Sequence, residues 1–376
     1  MQSNLISTNQ NAKQVLARAK NLQNITKKIL TKEDIWMKIL WKWADENEIL
    51  DYEWVEDGDF DEGGYHNGIP RTKKSLLNLK ILRLHDVDIK ELPKEFFNLT
   101  QLKELKIKNT NLKVLSGEVK KLKNLEELYL AKNQLSTLPN ELQYLTKLTE
   151  IHLHSNNFDN FPEILYKIKS LKHICLDTNH PSQLSSKISN LENLTELDYK
   201  NISTIPKEIS SLNFIKFKLH VNSDGIFPSG IEYLSNLEKL TIIGNNKAEL
   251  PKEIFKFKNL TTLNFVDFNK IDIPNNNLKL KKIMINIRDE IANLGRLSYL
   301  EELIIFESDI EVLPDDIVQL NDLKKLVLSD LKNIEFSAEQ LRWFIRLDEK
   351  NCKLDIDPEI LKKILDKLDN DDDEIL

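Results

Sequence analysis

One leucine frame returns every 23 residues, and it constrains the fold more than any other feature of this sequence. The frame starts at Leu79, Leu102, Leu125, Leu148, Leu171 and Leu194. The unit that follows Leu125 shows the full pattern, with apolar or repeat-specific residues at Leu128, Leu130, Asn133, Leu135, Leu138, Pro139, Leu142 and Leu145. A short coil cannot bury its own leucines, so such coils stack into a solenoid with one continuous core.

The frame continues to the last fifth of the chain with some slips. Later units start at Phe214, Leu237, Leu260, Leu280, Leu300 and Leu323, and the steps that begin at Leu194, Leu260 and Leu280 are 20 residues long. We count about twelve units in all. The expected division is a helical cap with an acidic loop at 1–76, a solenoid at 77–336, and a helical cap with an acidic tail at 337–376.

The repeat reads L-x-x-L-x-L-x-x-N-x-L-x-x-L-P-x-x-L-x-x-L, and it resembles the leucine-rich repeat family in its L-P-containing subclass. Similar proteins include bacterial leucine-rich proteins and the plant intracellular group related to Ras-binding repeats. The resemblance implies an α/β fold: a curved horseshoe with a parallel β-sheet on its concave face and helical caps at both ends. It also implies a protein-interaction scaffold, since most family members have that role.

Within each unit the period-two pair of leucines predicts a short strand whose other residues face outward. An asparagine after the strand can satisfy backbone groups of a neighbouring coil where the chain turns away. Such a column is present at Asn133, Asn156, Asn179, Asn222 and Asn245. Elsewhere the column holds other residue types, Ile202, Phe268, Arg288 and Ser308 among them.

Atypical segments are expected to cap the open ends of the solenoid. Before the repeats we expect a helix over Ala12 to Ile29 and a second one N-capped by Thr31, with one broad apolar face formed by Ile35, Trp36, Ile39, Leu40 and Trp43. After the repeats, Ser337 and Gln340 indicate a capping box. A last helix is expected from Pro358 to Leu368.

Composition excludes several classes of function. With 53 basic and 60 acidic residues closely mixed, the chain has no basic stripe for nucleic acid. It also lacks an apolar run of membrane-spanning length and a secretory signal. We therefore expect a cytoplasmic monomer whose cysteines, Cys175 and Cys352, are free thiols, with a protein as its partner. Export as an effector that binds a host protein, without a cleavable signal, is the alternative.

Motifs for catalysis are missing from the sequence. Nine glycines leave little material for a phosphate-binding loop, and no nucleophile elbow, kinase signature or H-E-x-x-H helix is present. The acidic stretch from Asp57 to Glu62 fails as a calcium loop, because Glu62 stands where the turn glycine belongs. The sequence therefore predicts a non-enzymatic protein with no catalytic residue and no cofactor.

Four possible metal ligands lie on adjacent strands of the predicted sheet. His152 would lie beside Cys175, and His154 beside Asp177, about 4.8 Å apart across the strands. These are zinc or copper ligand types, so a metal-binding protein is a minority alternative. The repeat imposes such spacing on any outward pair, however, and the preferred interpretation is a polar recognition surface without a metal.

Reading the outward positions along the solenoid predicts a partner-binding surface. Its N-terminal half is polar and partly cationic, whereas its C-terminal half carries apolar residues that folding does not require, a common mark of an interface. The expected contact residues are Tyr129, His152, His154, Asp177, Lys200, Ile243, Val266, Ile304, Phe306 and Val327. The alternative for the apolar part is that the C-terminal cap or the acidic tail folds back over it.

Overall fold

The computed structural model describes residues 18, 20, 35–55, 65–213, 215–275, 278–331 and 333–370. The helix expected over Ala12 to Ile29 lies outside these residues except at 18 and 20. So do Thr31, the acidic stretch from Asp57 to Glu62 and the last six residues.

Thirteen consecutive strands form one parallel sheet, in which each strand pairs with the next one along the chain. A two-stranded antiparallel ribbon, β1 (Glu53–Val55) and β2 (Tyr65–Asn67), precedes it. The sheet comprises β3 (Ile81–His85), β4 (Glu104–Lys108), β5 (Glu127–Tyr129), β6 (Glu150–His152), β7 (His173–Gln183), β8 (Glu196–Thr204), β9 (Lys216–His220), β10 (Lys239–Ile243), β11 (Thr262–Asp272), β12 (Lys282–Ala292), β13 (Glu302–Phe306), β14 (Lys325–Ser329) and β15 (Lys353–Ile356). This is the α/β solenoid that the repeat predicts.

Short 3₁₀ helices form the return path of the coils. They span Lys94–Asn98, Gly117–Lys121, Asn140–Tyr144, Glu163–Lys167, Ser186–Asn190, Lys207–Ser211, Ile231–Leu234, Lys252–Lys256, Leu294–Arg296 and Asp315–Gln319. The repeat proline is the residue before the 3₁₀ helix in six coils, following leucine in four of them, phenylalanine in one and isoleucine in one, with extended backbone at Pro93, Pro139, Pro162, Pro206, Pro251 and Pro314. Its fixed φ suits this entry position, and the missing N–H is not needed there.

The repeat leucines form one core that runs the length of the solenoid. In the coil after Leu125, Leu128, Leu130, Leu135 and Leu142 are fully buried. The core continues without interruption from Met37 in the N-terminal cap to Ile364 in the C-terminal cap. Both cysteines are buried free thiols, as expected.

The asparagine column bonds to backbone groups of a neighbouring coil at three of its five predicted positions, Asn133, Asn156 and Asn245. Asn133 and Asn156 are buried, each a rung between two coils, whereas Asn245 is half-buried and Asn222 accepts from backbone N–H groups of its own loop. Asn179 is exposed and donates to the Asp159 side chain, so its expected bond to the backbone of a neighbouring coil is wrong. The reason is that β7 runs on past this position instead of turning away.

Helix α1 (Ile35–Glu46) covers the first coil, and its inward face overlaps the predicted one only in part. Leu40 is buried and Trp36 and Trp43 pack against the core, as predicted, whereas Ile35 and Ile39 are 49% and 41% exposed. The buried face is rotated about the helix axis towards Met37 and Ala44, which turns the two isoleucines to solvent. A short helix α2 (Lys73–Leu77), N-capped by Thr72, leads into β3.

Helix α3 (Ala338–Glu349) closes the other end and begins with the predicted capping box at Ser337 and Gln340. Trp343 is fully buried, and its indole N–H donates to the Leu320 carbonyl at 3.2 Å. The chain then adds β15 to the edge of the sheet and ends in α4 (Pro358–Asn370). The sheet therefore extends one strand beyond the last repeat strand.

Candidate functional site

The predicted outward positions form two continuous columns on the outer face of the sheet, the face turned away from the core. In the first column Tyr129 pairs with His152, His152 with Cys175, and later Met284 with Ile304 and Ile304 with Val327. In the second column, Asp177 pairs with Lys200, Ile243 with Val266, and Phe306 with Ser329. The side chains on this face are exposed or half-buried with three exceptions, the buried His85, Ala131 and Cys175.

A third column on the same face was missed by the sequence analysis. It holds the first residue of each strand, two positions before the first predicted column, and it pairs in register from coil to coil. Its members are Ile81, Glu104, Glu127, Glu150, His173, Glu196, Lys216, Lys239, Thr262, Lys282, Glu302, Lys325 and Lys353. The signal was present, because the period-two pattern that identified the other columns extends one step further towards the N-terminus of each strand.

Glu150 of this third column is the centre of a histidine cluster, which we define as Glu150, His152, His173 and Tyr129. One Glu150 oxygen lies 2.5 Å from His152 Nε2 and 3.3 Å from His173 Nδ1. The same oxygen lies 2.9 Å from the Tyr129 hydroxyl, which also reaches Glu127 at 3.1 Å. The hydroxyl has one proton and donates to one carboxylate at a time.

The cluster is held together by stacking as well as by hydrogen bonds. The Tyr129 ring stacks on the His152 ring with centroids 4.2 Å apart, and Lys106 Nζ lies 4.2 Å above the Tyr129 ring. The hydrogen bonds from His152 and His173 hold the pKa of Glu150 well below its usual range. Burial, together with the hydrogen bond to Glu150, raises the pKa of Tyr129. Glu150 is therefore an anion that its neighbours orient.

The four predicted metal ligands do not converge. Cys175 Sγ lies 3.3 Å from His154 Nδ1, and the ligand atoms of His152, His154 and Cys175 lie within 4.8 Å of one another. Asp177 instead accepts a hydrogen bond of 2.7 Å from the Ser155 backbone N–H, which turns its carboxylate to the end of the strand. Glu150, His152 and His173 form a second group of the same compactness, which the sequence analysis did not anticipate.

Cys175 is a poor nucleophile in this setting. Its side chain is 8% exposed, and burial raises the pKa of the thiol to about 12. Reactive cysteines need a depressed pKa, because the thiolate is the reacting species. The neighbouring Asp198 is committed to Lys218 at 3.1 Å and to His220 at 2.9 Å.

The C-terminal half of the face carries the apolar patch, which we define as Ile243, Val266, Met284, Ile304, Phe306 and Val327. The patch crosses the five strands β10 to β14, and each of its side chains is half-buried. The described part of the C-terminal cap, through residue 370, leaves these side chains in contact with solvent. The last six residues lie outside the described ranges, so they do not bear on this point.

Charged side chains border the apolar patch on both sides. Along the strand starts the third column is mainly basic here: it holds the lysine column, defined as Lys239, Lys282, Lys325 and Lys353, together with Thr262 and with Glu302, which pairs with Lys282 at 2.8 Å. On the other side lie Asp267 within β11, and Glu307 and Asp330 directly after β13 and β14, all with positive φ. The patch is therefore an apolar stripe between a mainly cationic edge and a mainly acidic edge.

The fold and this face define a class of protein: a solenoid that presents a long ordered sheet surface. Residues 67–178 match the family model described as leucine-rich repeat region. This part of the chain is a leucine-rich repeat region. No curated protein sequence matches it.

Three solved structures illustrate what the chain is similar to. A leucine-rich repeat protein of Leptospira interrogans is 21% identical over 76% of this chain and 86% of that one, with a TM-score of 0.43. An internalin from Listeria monocytogenes is 18% identical over 76% and 88%, with a TM-score of 0.49. A plant peptide hormone receptor, solved in complex with its peptide, is 21% identical over 77% and 57%, with a TM-score of 0.40.

None of the helices that the structure describes combines the length and the apolar character that crossing a bilayer requires.

Proposed function

We propose that this chain is a protein-interaction module that binds its partner on the outer face of the sheet, with the apolar patch as anchor. The observation that carries the proposal is the patch itself. The core needs only the inward side chains of β10 to β14, yet Ile243, Ile304 and Phe306 occupy outward positions. Contiguous apolar surface of this kind is typical of interfaces.

The borders of the patch indicate the chemistry of the partner. Lys239 and Lys325 on one edge favour acidic groups of the partner, and Asp267, Glu307 and Asp330 disfavour them on the other edge. Five strands at about 4.8 Å spacing give a surface about 20 Å long, enough for an extended segment or one face of a helix. We therefore expect a protein segment with several apolar side chains and carboxylates along one side.

A displayed peptide library screened against the purified chain tests this directly. We expect the enriched peptides to combine aliphatic or aromatic residues with Asp or Glu. Phe306→Asp should weaken binding of a synthetic selected peptide by roughly 30-fold, the equivalent of about 2 kcal/mol for the loss of a central anchor. Ile243→Asp should act in the same direction.

The matched control is Tyr144→Asp, which places the same charge on an exposed residue of a 3₁₀ helix away from the sheet. This variant should bind the peptide like the unchanged chain, and all three variants should keep its thermal unfolding midpoint. Equal binding by Phe306→Asp and the unchanged chain would show that the patch is not the anchor.

A further inference from the structure

A second binding function is built into the polar half of the same face. We propose that Glu150, His152 and His173 of the histidine cluster form a zinc-binding site. Two imidazoles and one carboxylate make up a frequent ligand set for this ion. The site lies on β6 and β7, at a distance of several strands from the apolar patch, and does not depend on the proposed protein-binding function.

The backbone fixes the positions of all three ligands. Glu150 and His152 are two residues apart on β6, so they face the same side, and His173 of β7 is the register partner of Glu150. Their ligand atoms lie within 4.8 Å of one another. Neighbouring ligands of tetrahedral zinc are about 3.3 Å apart. The distance between Glu150 and His173 is already 3.3 Å, and the 2.5 Å contact between Glu150 and His152 has to open.

Charge balance in the third column also favours a cation at this point. Glu104 pairs with Arg83 at 2.8 Å and with Lys106 at 3.1 Å, and Glu196 pairs with Lys216 at 3.0 Å. Within the described residues, the ion-pair partners of Glu150 are only the two histidines, which are charged only when protonated. A divalent ion bound by neutral imidazoles supplies the positive charge that lysine and arginine supply to Glu104 and Glu196.

Neighbouring side chains already hold the ligands in place. The Tyr129 hydroxyl lies 2.9 Å from the Glu150 carboxylate, and the Tyr129 ring stacks on the His152 ring. Glu196 lies 3.9 Å from His173 Nε2, the nitrogen that faces away from Glu150. A carboxylate behind a metal-bound histidine is a common supporting arrangement, because it orients the ring and makes it more basic. At 3.9 Å this contact is longer than a hydrogen bond, and a small movement of either side chain would bring it within hydrogen-bond distance.

The ligand types favour a transition metal over the hard cations. Calcium and magnesium require several oxygen ligands, and this cluster provides one carboxylate. Imidazole suits zinc, copper, iron and nickel, and a set of two imidazoles with one carboxylate is a frequent one for zinc. The competing trio of His152, His154 and Cys175 shares one ligand, but Cys175 is buried, whereas Glu150, His152 and His173 are all half-buried. An ion from solvent therefore reaches the glutamate-centred trio directly.

The test uses the full chain purified without an affinity tag and stripped with a chelator. After incubation with Zn²⁺ and gel filtration, elemental analysis should find one zinc ion per chain. Titration calorimetry with Zn²⁺ should show the affinity falling at least about 10-fold in Glu150→Gln and in His173→Gln. Both changes are on the sheet surface, and the thermal unfolding of the stripped variants should match that of the stripped unchanged chain.

Three control variants separate this site from its neighbours. His220→Gln, on the same face but paired with Asp198, should bind zinc normally. Cys175→Ser and His154→Gln should also bind normally, and the Co²⁺-substituted protein should lack a thiolate-to-metal absorption band. The absence of stoichiometric zinc would overturn the proposal. So would a loss of binding in Cys175→Ser with full binding in Glu150→Gln, because that pattern places the ion on the competing trio.

Discussion

Asn133 shows how one polar residue in the core holds two coils together. Its carbonyl oxygen accepts from the backbone N–H groups of Thr110 and Leu112, each at 3.1 Å, and from the Thr110 hydroxyl at 2.9 Å. Its amide donates to the Ile107 carbonyl at 2.7 Å. Buried backbone groups need such partners, because leaving them without one costs the full desolvation penalty.

Asn133→Ala should therefore destabilise the chain by about 3 kcal/mol, since several buried groups lose their partner together. Asn179→Ala is the matched control: it makes the same change in the same column at an exposed position, and it should cost less than about 0.5 kcal/mol. Urea unfolding of both variants measures the difference. Similar losses in the two variants would contradict the assignment of Asn133 as a buried rung.

His85 is a buried histidine among cations. Burial is the largest cause of its lowered pKa, about 4, and Lys108, Arg83 and Lys106 act in the same direction against the weaker opposing effect of Asp86. The imidazole is therefore neutral in the folded chain at pH 7. Because the His85 imidazole has a pKa near 6.5 in the unfolded chain, it binds a proton preferentially in that state between about pH 6.5 and 4.

The stability that His85 contributes should be complete above pH 6.5 and should disappear as the pH falls towards 4. We expect the thermal unfolding midpoint of the unchanged chain to fall more steeply over this window than that of His85→Gln. Measuring both midpoints at several pH values between 7.5 and 4 isolates this residue from other acid-sensitive groups. Parallel curves would show that His85 does not couple protonation to unfolding.

The candidate site was only partly predictable at the level of residues. Period-two alternation placed His152 and His154 on the outer face, and the structure agrees. The centre of the histidine cluster is Glu150, which the same alternation reaches one step earlier along the strand. Asp177 lies outside the compact group of His152, His154 and Cys175, because its side chain bonds to the Ser155 backbone N–H, a local choice that sequence spacing does not determine.

At the level of elements, β-pairing replaces the asparagine rungs in part of the solenoid. Where Ile202 or Phe268 stands in the rung position, the strand continues past it and pairs with a neighbouring coil: β8 with β7, and β11 with β12. The four strands of these two pairs are 9 to 11 residues long, instead of the 3 to 5 elsewhere in the sheet. Three of these four long strands belong to the 20-residue units. The 20-residue repeat was visible in the sequence, but the longer strands could not be predicted from it. Either an asparagine side chain or continued strand pairing can satisfy the same backbone groups.

The C-terminal cap depends on one glutamine. Gln340 is 2% exposed; its oxygen accepts from the Ser337 N–H at 3.0 Å, and its amide donates to the Leu313 carbonyl of the preceding coil at 2.9 Å. It therefore joins helix α3 to the solenoid in addition to completing the capping box.

Gln340→Ala should thus cost more than Ser337→Ala: about 2 to 3 kcal/mol for the buried groups left unpaired, against about 1 kcal/mol for the lost cap. Ser337→Asn, which keeps a capping oxygen, should be close to neutral. Thermal unfolding ranks the three variants. Equal costs for Gln340→Ala and Ser337→Ala would mean that the bond to Leu313 contributes little.

At the scale of the whole molecule, the third column changes sign along the sheet. Four of its glutamates, from Glu104 to Glu196, lie in the first half, and the second half holds the lysine column with a single acid, Glu302. The stacking of coils followed from the 23-residue period, because that period leaves stacking as the only way to bury the leucines, and the parallel sheet with helical caps followed from the resemblance to leucine-rich repeats. The charge gradient and the edge strand β15 depend on positions outside the leucine frame, and the period does not predict them.

The most direct test of the account is to locate a bound peptide on this surface by crosslinking. A photoreactive side chain at Val266, in the middle of the apolar patch, should capture a selected peptide in high yield, and the same group at Tyr144 should capture almost none. Excess unlabelled peptide should abolish the product at Val266. Capture at Tyr144 with none at Val266 would contradict the claim that this chain binds its partner on the outer face of the sheet.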